Sequence, residues 1–368
     1  MFRTTKAGRL DARRLLVFAA VALALAAVAA TRSTAASTRA AAAGYAVTNL
    51  VSDGSVPAQH TDPNLVNGWG IAAGPSTPWW VSDNGTDTAT LYGGDGSIVP
   101  LVVQVEGGPT GTVFNGTNDF VVSDGAGHSG PARFLFASEN GTIRGWNPAV
   151  PPPLSHHAFV VVSRASQGAI FKGLAIAGST IYATDFHNGR VDVFNGSFGE
   201  ITTPGAFTDR DLPAGFAPFG IQNLGGRIFV TYAKQDADRQ DEIDGPGLGF
   251  VDMYDLSGHL LARVASRGDL NAPWGLAWAP DGFGQFSNAL LVGNFGDGRI
   301  NAFRQNSEGR FVQVGQLRTP AGAPIAIDGL WGIGFGNGNA SGPTTTLYFA
   351  AGPDHEAHGL FGRIDVVR

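Results

Sequence analysis

Six times along these 368 residues a short strand ends on an aromatic or aliphatic side chain, in five cases behind a glycine. The copies are Gly-Thr-Ile-Arg-Gly-Trp (141–146), Gly-Arg-Val-Asp-Val-Phe (189–194) and Gly-Phe-Val-Asp-Met-Tyr (249–254). Gly-Arg-Ile-Asn-Ala-Phe (298–303) and Gly-Arg-Ile-Asp-Val-Val (362–367) follow, and a looser form stands at 88–92. Their starts lie 48 to 64 residues apart. A repeat of that length, written in strands and turns without helical periodicity, predicts a β-propeller with one copy per blade.

The rest of each repeat fits four antiparallel strands. Nearly continuous apolar runs such as Trp79-Trp80-Val81, Phe134-Leu135-Phe136 and Leu347-Tyr348-Phe349 suit a strand packed on both faces. Asn84-Gly85, Asn140-Gly141, Asn188-Gly189 and Asp297-Gly298 follow such runs and predict type I′ hairpins. Ahead of them a glycine recurs in a small-residue setting: Trp69-Gly70-Ile71, Lys172-Gly173-Leu174, Phe219-Gly220-Ile221, Trp274-Gly275-Leu276 and Trp331-Gly332-Ile333, with Thr110-Gly111-Thr112 departing from it. Small residues belong on the innermost strands, where blades crowd the axis. The sixth blade runs out at Arg368, so residues 45–51 are expected to supply its outer strand and close the ring without a free edge. The expectation is an all-β, six-bladed β-propeller of four-stranded antiparallel blades, closed by the N-terminal strand.

Residues 1–43 read as a signal peptide. Arg3, Lys6, Arg9, Arg13 and Arg14 precede an unbroken apolar run at 15–30 and small-residue cleavage candidates. The propeller is then 44–368, secreted, periplasmic or at the cell surface, with no stable membrane span once the signal is cleaved. It carries 17 Lys and Arg against 29 Asp and Glu, a balance that repels phosphate backbones and argues against nucleic acid as a partner. The absence of cysteine excludes thiol nucleophiles, iron–sulfur clusters and thiolate zinc sites.

The proline- or tryptophan-glycine-isoleucine start and the Gly-Arg-Ile/Val-Asp/Asn-x-Phe strand resemble NHL-type repeats. The stretches 48–70, 132–148 and 232–255 are similar to those of a family of uncharacterised exported bacterial propellers. That resemblance spans 45–368 and implies the fold and an exported setting; it carries no activity. Lactonase-like propellers are similar in holding a divalent ion with loop carboxylates and amides.

Candidate chemistry lies where hairpins and entering loops converge on the axis. Glu139, Asp185, His187, Asn294, Asp354 and His355 are the candidate ligands for Ca²⁺ or Zn²⁺, although Asp and Asn also serve as ordinary turn residues. Trp69, Trp274 and Trp331 recur at one place in three blades, either to stack on a flat ligand or to pack between blades. The loop 236–245 packs five acids into nine residues and reads as a solvated insertion, since Arg239 and Gln240 break calcium-loop spacing. His355-Glu356-Ala357-His358 is one residue short of the helical metalloprotease pattern and sits in a loop. The functional expectation is a monomeric binding module for an extracellular small molecule, glycan or protein. The alternative is a metal-dependent hydrolase or lyase of the lactonase-like type.

Overall fold

The computed structural model describes Met1 and residues 44–367, so the expected signal peptide lies outside the described residues. Six antiparallel sheets follow one another around an axis, each beginning innermost. Blade one runs Gly68–Ala72, Trp79–Asp83, Thr88–Tyr92 and Ile98–Gln104; blade two runs Pro109–Phe114, Phe134–Ser138, Thr142–Trp146 and Phe159–Ser163. Blade four comprises Phe216–Leu224, Arg227–Gln235, Gly249–Tyr254 and Leu260–Ser266. Blade five comprises Pro273–Trp278, Leu290–Asn294, Ile300–Gln305 and Phe311–Gln316. Among the described residues no helix is long and apolar enough to cross a membrane.

The ring closes as expected. Gly44–Ser52 pairs antiparallel with Leu360–Val367, outside Leu347–Ala351 and Leu330–Phe335, and completes blade six. Tyr45 locks the strand to blade five: it is buried, its hydroxyl donates to the Phe283 carbonyl at 3.0 Å, and its ring stacks on Phe286. A short segment, His60–Thr61, adds a parallel pairing at the outer edge.

Blade three departs from the four-strand pattern. It has Phe171–Ala177, Thr180–Asp185 and Arg190–Asn195 only. The next segment starts to pair, with the Ile201 amide donating to the Val193 carbonyl, and then stops. Pro204 has no amide to give and Gly205 turns left-handed at φ +80°, so the ladder cannot continue.

The hairpin turns also differ from type I′. Gly141, Gly189 and Gly298 have positive φ, but Asn140, Asn188 and Asp297 do not. The Gly141 amide donates to the Ser138 carbonyl, closing a β-turn whose last residue is a left-handed glycine, and Gly189 closes on Phe186 in the same way. Each loop is therefore longer than two residues, which puts Glu139 and His187 at turn positions. In blade one, Asn84–Thr86 forms a 3-10 turn ended by left-handed Asp87.

Apolar burial follows the repeat. One hydrophobic cluster fills each of the six blade interfaces, for example Leu135, Ile143, Phe171 and Ile181 between blades two and three. A seventh lies at the axis and contains Trp69, Phe219 and Trp331. The recurring inner-strand glycines explain how the blades approach so closely there. A Cβ on Gly70 would meet the Thr110 carbonyl oxygen at 2.4 Å, one on Gly220 the Trp274 oxygen at 2.1 Å, and one on Gly332 the Trp69 oxygen at 2.6 Å. Gly111, Gly173 and Gly275 touch the following blade likewise, so the waist is a closed ring of six glycines, Gly111 included despite its different neighbours.

Candidate functional site

The residue just before each waist glycine decides one end of the channel. Going round the ring these are Trp69, Thr110, Lys172, Phe219, Trp274 and Trp331. The aromatic members fill the axis. Trp69 stacks on Trp331 with centroids 3.6 Å apart, Phe295 stacks on the same indole at 4.1 Å, and Trp274 stands edge-on to both tryptophans. Trp331 is fully buried and Trp69 nearly so. The tryptophans thus pack against one another across the axis, and Trp69 also lines the pocket above.

That pocket has a volume of about 460 Å³ and is walled by Asn67, Asn84, Glu139, Lys172, Asp241, Glu242, Phe295, His355 and Glu356. Lys172 is its pivot. The side chain is 1 % exposed, its ammonium bonds Glu139 Oε1 at 2.6 Å and Asp241 Oδ1 at 3.0 Å, and it lies 5.1 Å from the Trp69 ring centroid. Burial alone pulls its pKa down, but Glu139, Glu242 and Asp241 override that and hold the ammonium above its ordinary range. It is a fixed cation, unsuited to act as a nucleophile.

Two amides brace the ring of charges. Asn84 Nδ2 donates to Glu139 Oε2 at 2.9 Å, and Asn67 Nδ2 donates to Glu356 Oε1 at 3.0 Å and to Asn84 Oδ1 at 3.2 Å. The Trp331 indole N–H donates to Asn67 Oδ1, tying the polar layer to the aromatic one. One of the acids keeps its proton near neutral pH. Burial pushes Glu242 up to about 8 against the pull of Lys172, and among the described residues no other one donates a hydrogen bond to its carboxyl. Burial also raises Glu356, in spite of its Asn67 bond and Lys172.

Blades four and six deliver those acids by special backbone. The loop 236–245 is solvent-exposed over most of its length, as expected, but Glu242–Ile243 pairs with the end of Arg227–Gln235, which folds Asp241 and Glu242 over the mouth. In blade six Asp354, His355 and Glu356 are three successive non-glycine residues at φ +56°, +53° and +66°. A left-handed run of that kind is sterically costly and points to a local requirement, here the placement of Glu356.

The residues named for a divalent ion are dispersed. Glu139 and His355 line the mouth, and both Glu139 oxygens are engaged by Lys172 and Asn84. Asp185 accepts from the Ile170 and Asn188 amides and from Asn188 Nδ2, holding its own hairpin. Asn294 Nδ2 donates to the Asp269 carbonyl and to Asp297, and it is the next residue, Phe295, that reaches the pocket. Asp354 is largely exposed on its turn, and the buried His187 Nδ1 has no hydrogen-bond partner among the described residues. Among the described residues no three His, Asp or Glu side chains gather as a metal would require. Lys172, Asp241, Glu242 and Glu356 escaped the sequence reading as site residues. The available signal was Lys172 itself, the one charge at a repeat position held elsewhere by Trp, Phe or Thr.

Beyond the waist, where the residual space is only about 20 Å³, the channel opens on the other face. This second mouth, about 390 Å³, is lined by apolar residues including Ile71, Phe114, Leu276, Trp278 and Phe335, with Gln222, Asn223 and Asn337 as its amides and no ionisable side chain.

Comparison with known proteins agrees with this architecture. The chain is 36% identical over 337 residues to the uncharacterized protein R648 of Acanthamoeba polyphaga mimivirus, covering 87% of this chain and 80% of the relative. The chain belongs to that protein's family. No protein-family model matches it. A Bacteroides thetaiotaomicron protein of unknown function superposes on this R648-family propeller with a TM-score of 0.56 at 12% identity, over 88% of this chain and 76% of that one. The soluble aldose sugar dehydrogenase of Escherichia coli does so with a TM-score of 0.51 at 14% identity, over 87% and 99%. At such identities these two likenesses speak to the fold.

Proposed function

We propose that this propeller is an exported binding module that holds a small polar ligand in the charged mouth of its channel. One observation carries the reading: a pocket of about 460 Å³, closed below by stacked aromatic rings, is walled by a pre-braced set of carboxyl, amide and ammonium groups. Pockets of that size with a few converging polar groups are the usual form of small-molecule sites. The basic, then apolar, N-terminal segment supports the exported setting, and the mass of the secreted form checks cleavage near residue 43.

A second reading, a hydrolase or lyase of the lactonase-like type, draws support from the proton Glu242 keeps near neutrality in the same pocket as Glu139, which accepts a hydrogen bond from the Lys172 ammonium. One experiment separates the two. The purified protein is titrated calorimetrically with a panel of sugars, sugar acids, lactones and amines, and each mixture is followed by NMR for product. The binding reading expects one-to-one binding without turnover, weakened about tenfold or more by Glu356→Gln. Turnover abolished by Glu242→Gln replaces it with the enzymatic one, and binding untouched by either substitution removes the mouth as the site.

A further inference from the structure

We propose that the ligand of the charged mouth is a small organic cation, a protonated amine whose N–H groups are received by Glu242 and Glu356. This rests on the binding reading and goes beyond it by fixing the sign and chemistry of the ligand. The charge balance of the pocket is uneven. Glu139 from the blade-two hairpin, Asp241 and Glu242 from the blade-four loop and Glu356 from the blade-six turn face one cation, Lys172, with His355 at the rim. That ammonium is already committed to Glu139 and Asp241. Among the described residues, no other one donates to the Glu242 carboxyl, and the Glu356 carboxyl receives a single amide. A carboxyl that lines the pocket without a protein donor has room for a ligand donor.

Volume and lining favour an organic cation over a bare ion. The space holds many waters' worth of volume at ~30 Å³ each, far more than one ion fills. Phe295, which lines it, gives the pocket an aromatic wall, the kind of surface that attracts an alkylammonium. Binding also has a proton consequence. Near neutral pH Glu242 holds its proton in the free protein because burial penalises its charge, and burial raises Glu356 as well. An arriving ammonium favours the carboxylate, so the Glu242 proton leaves to solvent as the amine enters. Charge is conserved within the pocket, and affinity rises with pH until Glu242 ionises on its own, near 8.

The test uses matched probes on the full chain: 1,4-diaminobutane, 4-aminobutan-1-ol and the neutral butane-1,4-diol, titrated at about pH 6 and about pH 7.5 in two buffers of different ionisation enthalpy. The amines should bind, with affinity rising up to about tenfold per pH unit, and the buffer difference should report release of up to about one proton, most fully at the lower pH. The diol should give no binding heat. Glu242→Gln, a near-isosteric change checked for folding by its melting curve, should remove part of the proton release. Binding of diol as tight as amine, or amine binding without proton release, overturns the cationic assignment while leaving the pocket a binding site. The proton count on the unaltered protein decides this even if a variant fails to fold. If neither these probes nor the broader panel binds, both readings fall.

Discussion

The six innermost strands enter the channel through Trp69, Thr110, Lys172, Phe219, Trp274 and Trp331 and leave it past residues such as Ile71, Ile176, Leu276 and Ile333. The two mouths are thus opposite ends of the same strands, but they are built differently. The apolar mouth needs only strand ends and tight turns, such as Gly178-Ser179 and Gly225-Gly226. The charged mouth recruits two further segments, the folded-back 236–245 loop and the left-handed turn at 354–356. Of the two mouths, only the charged one has ionisable side chains in its wall and a run of three left-handed non-glycine residues beside it. Such costs mark a functional site more reliably than concavity, which both mouths share.

The waist between the mouths offers the harshest way to break this comparison. Gly220→Ala puts a methyl 2.1 Å from the Trp274 carbonyl oxygen, with the Thr231 hydroxyl at 2.9 Å, inside a closed ring that has no free direction to yield. A loss of at least about 3 kcal/mol is expected, seen as a large fall in Tm or as failure to fold. Gly178→Ala, in a turn of the apolar mouth, meets open space and only a left-handed φ of +56°, so it should cost about 1 kcal/mol. Equal costs would mean that the glycine ring does not set blade spacing.

Substitution at Lys172 separates the mouths themselves. Lys172→Met keeps the length of the side chain but leaves Glu139 facing Glu242 and Glu356 with no cation among them. A loss on the order of 3 kcal/mol is expected near neutral pH, because removing one partner strands the others. It should shrink in acid, where the carboxylates protonate. Leu276→Ala in the apolar mouth should cost about 2–3 kcal/mol through lost packing, independent of pH. Denaturant melts of both variants across pH decide this, and a pH-independent Lys172→Met loss would reduce Lys172 to a packing residue.

What was legible in the sequence follows the same division. Blade number, the waist glycines and closure by residues 45–51 are repeated or periodic features, and each repeat constrains the next. The charged mouth is made of exceptions. Lys172 breaks an aromatic position, Glu242 sits in a loop whose composition suggests solvent, and Glu356 lies on a turn with no motif. Composition also cannot show that 236–245 folds back, since that depends on two residues pairing with the end of a neighbouring strand. The type I′ expectation failed for a related reason: Asn-Gly suits that turn, but a longer turn ending on left-handed glycine uses the same dipeptide. Pro204, which stops the fourth strand of blade three, was readable and is the one architectural exception with a local cause.

Glu242 gives the smallest and most specific effect. Its carboxyl has a pKa of about 8 in the folded chain against an ordinary value of 4.5, so the folded state binds the extra proton. The stability this contributes is complete below about pH 4.5 and is lost as pH rises through about 8, because above that the buried charge must be tolerated. Glu242→Gln removes the charge and keeps the shape. Relative to the unaltered protein, the variant should be little changed or less stable at about pH 5 and more stable, on the order of 2 kcal/mol, at about pH 9. Asp252, raised by burial to about 7 in the blade-four sheet, titrates in the same window, so only the difference between the two proteins isolates Glu242. A stability difference that is flat from pH 5 to pH 9 would show that Glu242 is already ionised, and that the charged mouth differs from the apolar one in polarity but not in proton storage.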